Sequence, residues 1–129
     1  MYSQQKNLHH HISYLYRLGI KLMSWLFLLL AIVCEIFGTT SMKLASSVSK
    51  PIYLAGTFVG YALAYSFLAF SLKQIEVSVA YAVWSGIGIV GTSLIGFVLF
   101  QEILTPAQGL FIGLIFIGSI GLYLVSNHS

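Results

Sequence analysis

The stretch WLFLLLAIVCEIFGTTSMKL, residues 25–44, decides how the chain is read. Its first ten residues carry no charge, and the eleventh is Glu35. At about 1.5 Å per helical residue, Glu35 lies ~15 Å into the run, near the middle of a ~30 Å hydrocarbon core. An ionised side chain at that depth costs about 2.5 kcal/mol or more, so an intramembrane acid marks a function by default. Three further apolar runs follow, and none of them holds a charge so deep. The lengths predict four transmembrane helices near 24–44, 53–72, 78–100 and 107–126.

Hydrophobic residues make up 58% of the sequence and charged residues 7%, a balance that rules out a soluble domain. The expected fold is all-α and membrane-embedded, with one four-helix transmembrane domain over 23–129 and a polar N-terminal extension over 1–22. Only short turns remain between the runs. They leave no room for a nucleotide-binding loop or a soluble catalytic module.

The formal charge of +3 does not describe a basic surface. Lys6, Arg17 and Lys21 precede Met23 with no acid among them. After Met23, Lys43, Lys50 and Lys73 balance Glu35, Glu76 and Glu102. Nucleic acid is therefore not an expected partner. His9, His10 and His11 read either as a metal-binding patch or as an exposed tail, the tail being the simpler reading. A basic start before an apolar stretch also suggests a signal peptide, but the run from Met23 is long enough to span and has an acid in its core. Met23-Ser-Trp reads as an internal start, with 1–22 as an extension ahead of it. The single cysteine, Cys34, reads as a small packing residue, with no disulfide and no metal partner at useful spacing.

Glu35, Gly38, Thr39 and Met42 share one helix face by their i, i+3, i+4, i+7 spacing. Gly38 permits another backbone to approach, and Thr39 can hydrogen-bond across helices. Lys43, at the predicted helix end, reads as a snorkelling anchor first and a partner for Glu35 second. Tyr81, Trp84, Ser85 and Gly88 form a second stripe on the third helix. These aromatics suit either an interfacial belt or a pocket, although Trp84 is deep for a belt and its indole N–H then needs a partner. Tyr61 and Tyr65 share a face of the second helix. Phenol, indole and carboxylate groups at membrane depth suit a cation, because aromatic faces and an anion both attract one. No nucleophile–base pair, metal cluster or phosphate loop is present, so no enzyme activity, cofactor or metal is expected.

Gly86-Ile-Gly88-Ile-Val-Gly91 lies inside an apolar helix, so it fails as a nucleotide fingerprint and reads as close packing or a kink. Gly109 and Gly113 have GxxxG spacing, with Gly118 and Gly121 beyond, and point to helix–helix association.

Glu35-Ile-Phe-Gly-Thr-Thr-Ser-Met-Lys43 followed by Ala80-Tyr-Ala-Val-Trp-Ser-Gly-Ile-Gly88 resembles the small multidrug resistance family of four-helix exporters. The resemblance runs from Met23 to the C-terminus. It implies an antiparallel dimer that exports cations in exchange for protons. Glu35 would be the shared proton and substrate site, with Tyr61, Tyr81 and Trp84 as substrate-binding aromatics. Thr39 and Ser85 would support Glu35, Gly86 and Gly88 would mark a helix kink, and Gly109, Gly113 and Gly118 would pack the dimer. Gly-Thr-Thr at 38–40, together with Tyr61, resembles the quaternary-ammonium-type branch. The guanidinium-exporting branch usually has a tryptophan where this chain has Gly38. Glu76 departs from the drug-exporter pattern, which commonly has proline there, and resembles the polyamine-exporting members. Otherwise Glu76 and Glu102 read as solvated loop acids.

The expected function is proton-coupled export of lipophilic or quaternary ammonium cations across a prokaryotic plasma membrane. Alternatives within the fold are a polyamine or guanidinium exporter, including one half of a heterodimer. From another class, a non-transporting regulatory or scaffolding subunit explains the helices but not the acid near aromatics. Four such helices hardly enclose a bulky ligand, so a dimer is expected. After Met23 the termini side carries Lys73 and the other side Lys43 and Lys50, almost no positive-inside bias. That suits insertion in both orientations, whereas counting the extension favours termini inside.

Overall fold

The computed structural model describes residues 2–126, with side chains from residue 9 onward. Four helices follow one another: α1 (Tyr2–Val48), α2 (Pro51–Ser71), α3 (Val77–Phe100) and α4 (Pro106–Ser126). All four are long and apolar enough to cross a membrane. α2, α3 and α4 lie within two residues of their predicted bounds.

α1 departs from expectation. It is one helix of 47 residues, about 70 Å at the usual rise and more than twice a hydrocarbon core. The extension is therefore not marked off from the first span by any break. Its residues explain this: no proline interrupts 2–48, and Gly19 is the only glycine before Gly38. His9, His10 and His11 are exposed along it. The helix also runs one turn past its predicted end, to Val48. There Ser49 takes a left-handed conformation (φ 53°), and its N–H donates to the Ala45 carbonyl. Pro51 then opens α2 in the first turn, where its missing N–H costs nothing.

Two other junctions are set by local chemistry. Gln101 (φ 54°) turns the chain back after α3, so that the Glu102 N–H donates to the Gly96 carbonyl at 3.1 Å. At the start of α4, the Gln108 side chain accepts from the Thr105 N–H at 2.9 Å, and the Gln108 N–H donates to the Thr105 hydroxyl at 3.3 Å. This reciprocal pair is a capping box closed by glutamine.

α1 packs against α2 and α3, and α4 packs against α3. The core is small: Leu28, Ala31 and Ile32 of α1 meet Leu68, Ile75, Val79 and Ala80. Large apolar side chains such as Leu29, Phe58, Leu94 and Ile117 point outward, the arrangement a hydrocarbon solvent rewards. The tightest crossing is between Gly38 and Gly60. A Cβ at Gly60 would lie 2.7 Å from the Gly38 Cα and 3.0 Å from the Cys34 carbonyl oxygen. Only two glycines let the α1 and α2 backbones approach this closely. That approach sets the neighbouring Tyr61 beside the face of α1 that carries Glu35.

Candidate functional site

Glu35 is half-buried on α1 and faces α3. Its carboxylate opens into a cavity of about 440 Å³ lined by Tyr81, Trp84, Ser85, Gly88, Ile89, Thr92 and Ile115. The clearance comes from Gly88, where an added Cβ would sit 3.3 Å from Glu35 Oε2. Any larger side chain there would compete with the carboxylate for space.

One turn along α1, the Thr39 hydroxyl donates to Glu35 Oε1 at 3.3 Å. The same hydroxyl lies 3.1 Å from the Tyr61 phenol. An ionised carboxylate only accepts, and a threonine hydroxyl has one proton to give. Hence Tyr61 donates to Thr39 and Thr39 donates to Glu35. Protonating Glu35 makes it a donor and allows the chain of hydrogen bonds to reverse. Tyr61 thus touches the site through Thr39 and does not line the cavity itself.

The aromatic wall is built by edge contacts. Trp84 meets Tyr81 at a centroid distance of 5.5 Å and Tyr65 at 5.6 Å, both edge to face. Tyr65 thereby braces Trp84 from α2. Ser85 lines the cavity, but its hydroxyl donates to the Ala82 carbonyl of its own helix at 3.1 Å and not to Glu35. Its support of Glu35 is not made here, because that local bond occupies its only proton.

α3 is continuous through Gly86 and Gly88. Gly86 packs on α4, where an added Cβ would come within 2.5 Å of the Ser119 hydroxyl. Gly109, Gly113 and Gly118 have nothing within 4 Å of a Cβ built on them, so α4 is uncovered at all three, with Gly109 and Gly113 on one face and Gly118 on the opposite one.

Thr92 also lines the cavity, one turn beyond Gly88 on the Tyr81–Ser85–Gly88 stripe. Extending that stripe by four residues would have found it. Lys43 and Glu102 correct the reading of both residues. Among the described residues they form the only ion pair, at 2.9 Å. The Gln101 reversal returns Glu102 toward α3, and there Glu102 pairs with Lys43, so Lys43 does not pair with Glu35.

Removing the Thr39 hydroxyl should show what the relay contributes. Hydrogen bonds to charged groups are worth ~1.5–3 kcal/mol, so Thr39→Val should weaken cation binding by about tenfold or more. Tyr61→Phe, which removes only the outer bond, should cost less. Binding of tetraphenylphosphonium to purified protein checks this; equal losses in both variants would contradict the relay.

The profile of the Small Multidrug Resistance protein family matches residues 23–115. The chain is 48% identical over 107 residues to the uncharacterized membrane protein YvaE of Bacillus subtilis, covering 81% of this chain and 88% of that one. It is 40% identical over 105 residues to the quaternary ammonium compound-resistance protein QacE of Escherichia coli (81% and 96%). A guanidinium exporter of Yersinia pseudotuberculosis is 38% identical over 104 residues (81% and 100%). Four membrane-length helices, an acid between them and a match over most of the sequence agree: the chain belongs to the small multidrug resistance family.

Proposed function

We propose that the chain is a proton-coupled antiporter that exports lipophilic or quaternary ammonium cations, with Glu35 as the group that proton and cation occupy in turn. It is a multi-pass protein of a prokaryotic plasma membrane, and its chemistry is transport and not catalysis. The observation that carries the reading is the cavity itself. A half-buried carboxylate and the aromatic side chains Tyr81 and Trp84 line one cavity at membrane depth. Carboxylate and aromatic faces favour the same ligand, a weakly hydrated organic cation.

Coupling follows from charge. An occupied Glu35, whether protonated or paired with a cation, is neutral and inexpensive to move through the apolar helix packing, whereas a bare carboxylate is not. If the cavity exchanges sides mainly when neutral, a proton entering from outside displaces the cation, and deprotonation inside prepares the site again. Gly86 and Gly88 would allow α3 to bend during that exchange. One chain leaves the cavity open and Gly109, Gly113 and Gly118 of α4 uncovered, which supports an antiparallel dimer with two Glu35 carboxylates near one space. Residues 1–22 then remain an extension of α1 ahead of the exporter unit over 23–129.

A polyamine or guanidinium substrate is the second reading, favoured by Glu76 on the short segment between α2 and α3. The test is transport by the chain alone in vesicles with an imposed proton gradient, comparing a quaternary ammonium, guanidinium and spermidine. Proton-driven movement of the quaternary ammonium is expected to be fastest. Preference for spermidine would transfer the assignment to the second reading, and no movement of any of them would overturn the export reading.

A further inference from the structure

Glu35, Thr39 and Lys43 stand one turn apart on a single face of α1, a polar seam from mid-membrane toward the membrane face. Beside its outer half lies a second crevice of about 260 Å³, lined by Thr39, Thr40, Thr92, Ser93 and Phe100 together with Lys43 and Glu102. Thr92 lines both this crevice and the Glu35 cavity. Thr39 touches Glu35 and lines the crevice. The two spaces are therefore adjacent along one polar path.

The Lys43 ammonium sits in the crevice as a cation would. It lies 2.9 Å from Glu102 Oε1 and 5.8 Å from the centre of the Phe100 ring. Glu102 is folded back over Gly96, where an added Cβ would come within 2.6 Å of its other carboxylate oxygen. Carboxylate, aromatic ring and hydroxyls repeat the chemistry of the Glu35 cavity, with the chain's own ammonium as the occupant. Both side chains of the pair are about half exposed (50% and 52%), and ion pairs in such surroundings are weak and readily exchanged.

We infer that the crevice is a second cation-binding station on the route to Glu35, in which Glu102 and Phe100 hold a small organic ammonium and Lys43 occupies the station when none is present. The inference rests on the export reading. A cation at the station displaces Lys43 from Glu102, and the returning Lys43 ammonium clears the station by repulsion and substitution. This gives Lys43 a role in emptying the path as well as closing it.

The test uses the full chain in detergent, with tetraethylammonium as the probe and its NMR line broadening as the readout. The wild type should bind through Glu35, and Glu35→Gln should lose that binding. Adding Lys43→Met to Glu35→Gln should restore saturable binding, and adding Glu102→Gln to that pair should remove it again. No restored binding in Glu35→Gln/Lys43→Met, with the wild type binding normally, overturns the station. A wild type that itself binds no cation overturns the export reading instead.

A second readout does not depend on Glu35. In a Cys34→Ala background, Ser93→Cys should react faster with a cationic than with a neutral methanethiosulfonate once Lys43 is Met. Glu102→Gln should abolish that preference. An unchanged ratio of the two rates in both variants also overturns the station.

Discussion

Glu35→Gln is expected to abolish proton-coupled export while leaving the fold intact. The amide has almost the same shape, so the clearance left by Gly88 still accommodates it, and its oxygen can still accept from Thr39. A neutral group is also less costly at membrane depth than a carboxylate, so α1 gains and does not lose by the change. What disappears is the single charge that a proton or a cation can neutralise. Adding tetraphenylphosphonium to the solubilised wild type should release protons, and the variant should release none. Vesicles carrying the variant should move no substrate under a proton gradient. Retained proton-driven transport would remove Glu35 from the mechanism, whatever the fold. Glu35→Asp keeps the charge but draws it back by one methylene from Thr39, so coupling should survive in weakened form.

The second large effect is expected at Gly60, and it is structural. A methyl there would lie 2.7 Å from the Gly38 Cα and 2.8 Å from the Gly38 nitrogen. These are backbone atoms of the facing helix and have no rotamer to escape into. α1 and α2 must separate, at a cost of ~1–3 kcal/mol or more, as for overpacked interiors generally. Gly56→Ala should be milder, because its nearest neighbour at 3.1 Å is the Ser41 hydroxyl, a side chain that can rotate. Gly113→Ala meets nothing within 4 Å and should leave the single chain's fold unchanged. The order Gly60, Gly56, Gly113 is checked by loss of helical circular dichroism on titration with sodium dodecyl sulfate. Equal shifts at all three positions would mean that the crossing is not a tight one. Gly60→Ala should also weaken cation binding, since moving α2 away carries Tyr61 from Thr39.

These two positions show different legibility. Glu35 was visible because a charge ten residues into an apolar run is rare enough to be informative without any neighbour. Gly38 was visible as a small residue on the same face, but its partner was not. Nothing local distinguishes Gly60 from the other glycines of α2 to α4, because a crossing point depends on two helix axes and not on one sequence. Thr92 was within reach, since it continues a stripe already read. The Lys43–Glu102 pair was not, because 58 residues of chain and two helices separate its members.

The helix ends divide in the same way. Pro51 and Pro106 open α2 and α4 one or two residues before the starts predicted at 53 and 107, as proline fixes its own backbone torsion. The long α1 did not announce its extent: hydropathy changes at Met23, but helix formation does not. A polar segment without breakers continues a helix already nucleated by the apolar run behind it.

By itself the sequence determined the four spans, the depth of the acid and the class of ligand that acid and aromatics prefer. Those follow from transfer free energies, which belong to residue types and lengths. Only the tertiary structure decided which groups meet. It joined the Glu35–Thr39 pair of α1 to Tyr61 of α2 and left Ser85 bonded to its own helix. It put Tyr61 behind Thr39 instead of in the cavity, and it turned Lys43 toward Glu102. Such contacts reach over a few ångströms and depend on how two backbones cross, so they are set by packing and not by composition.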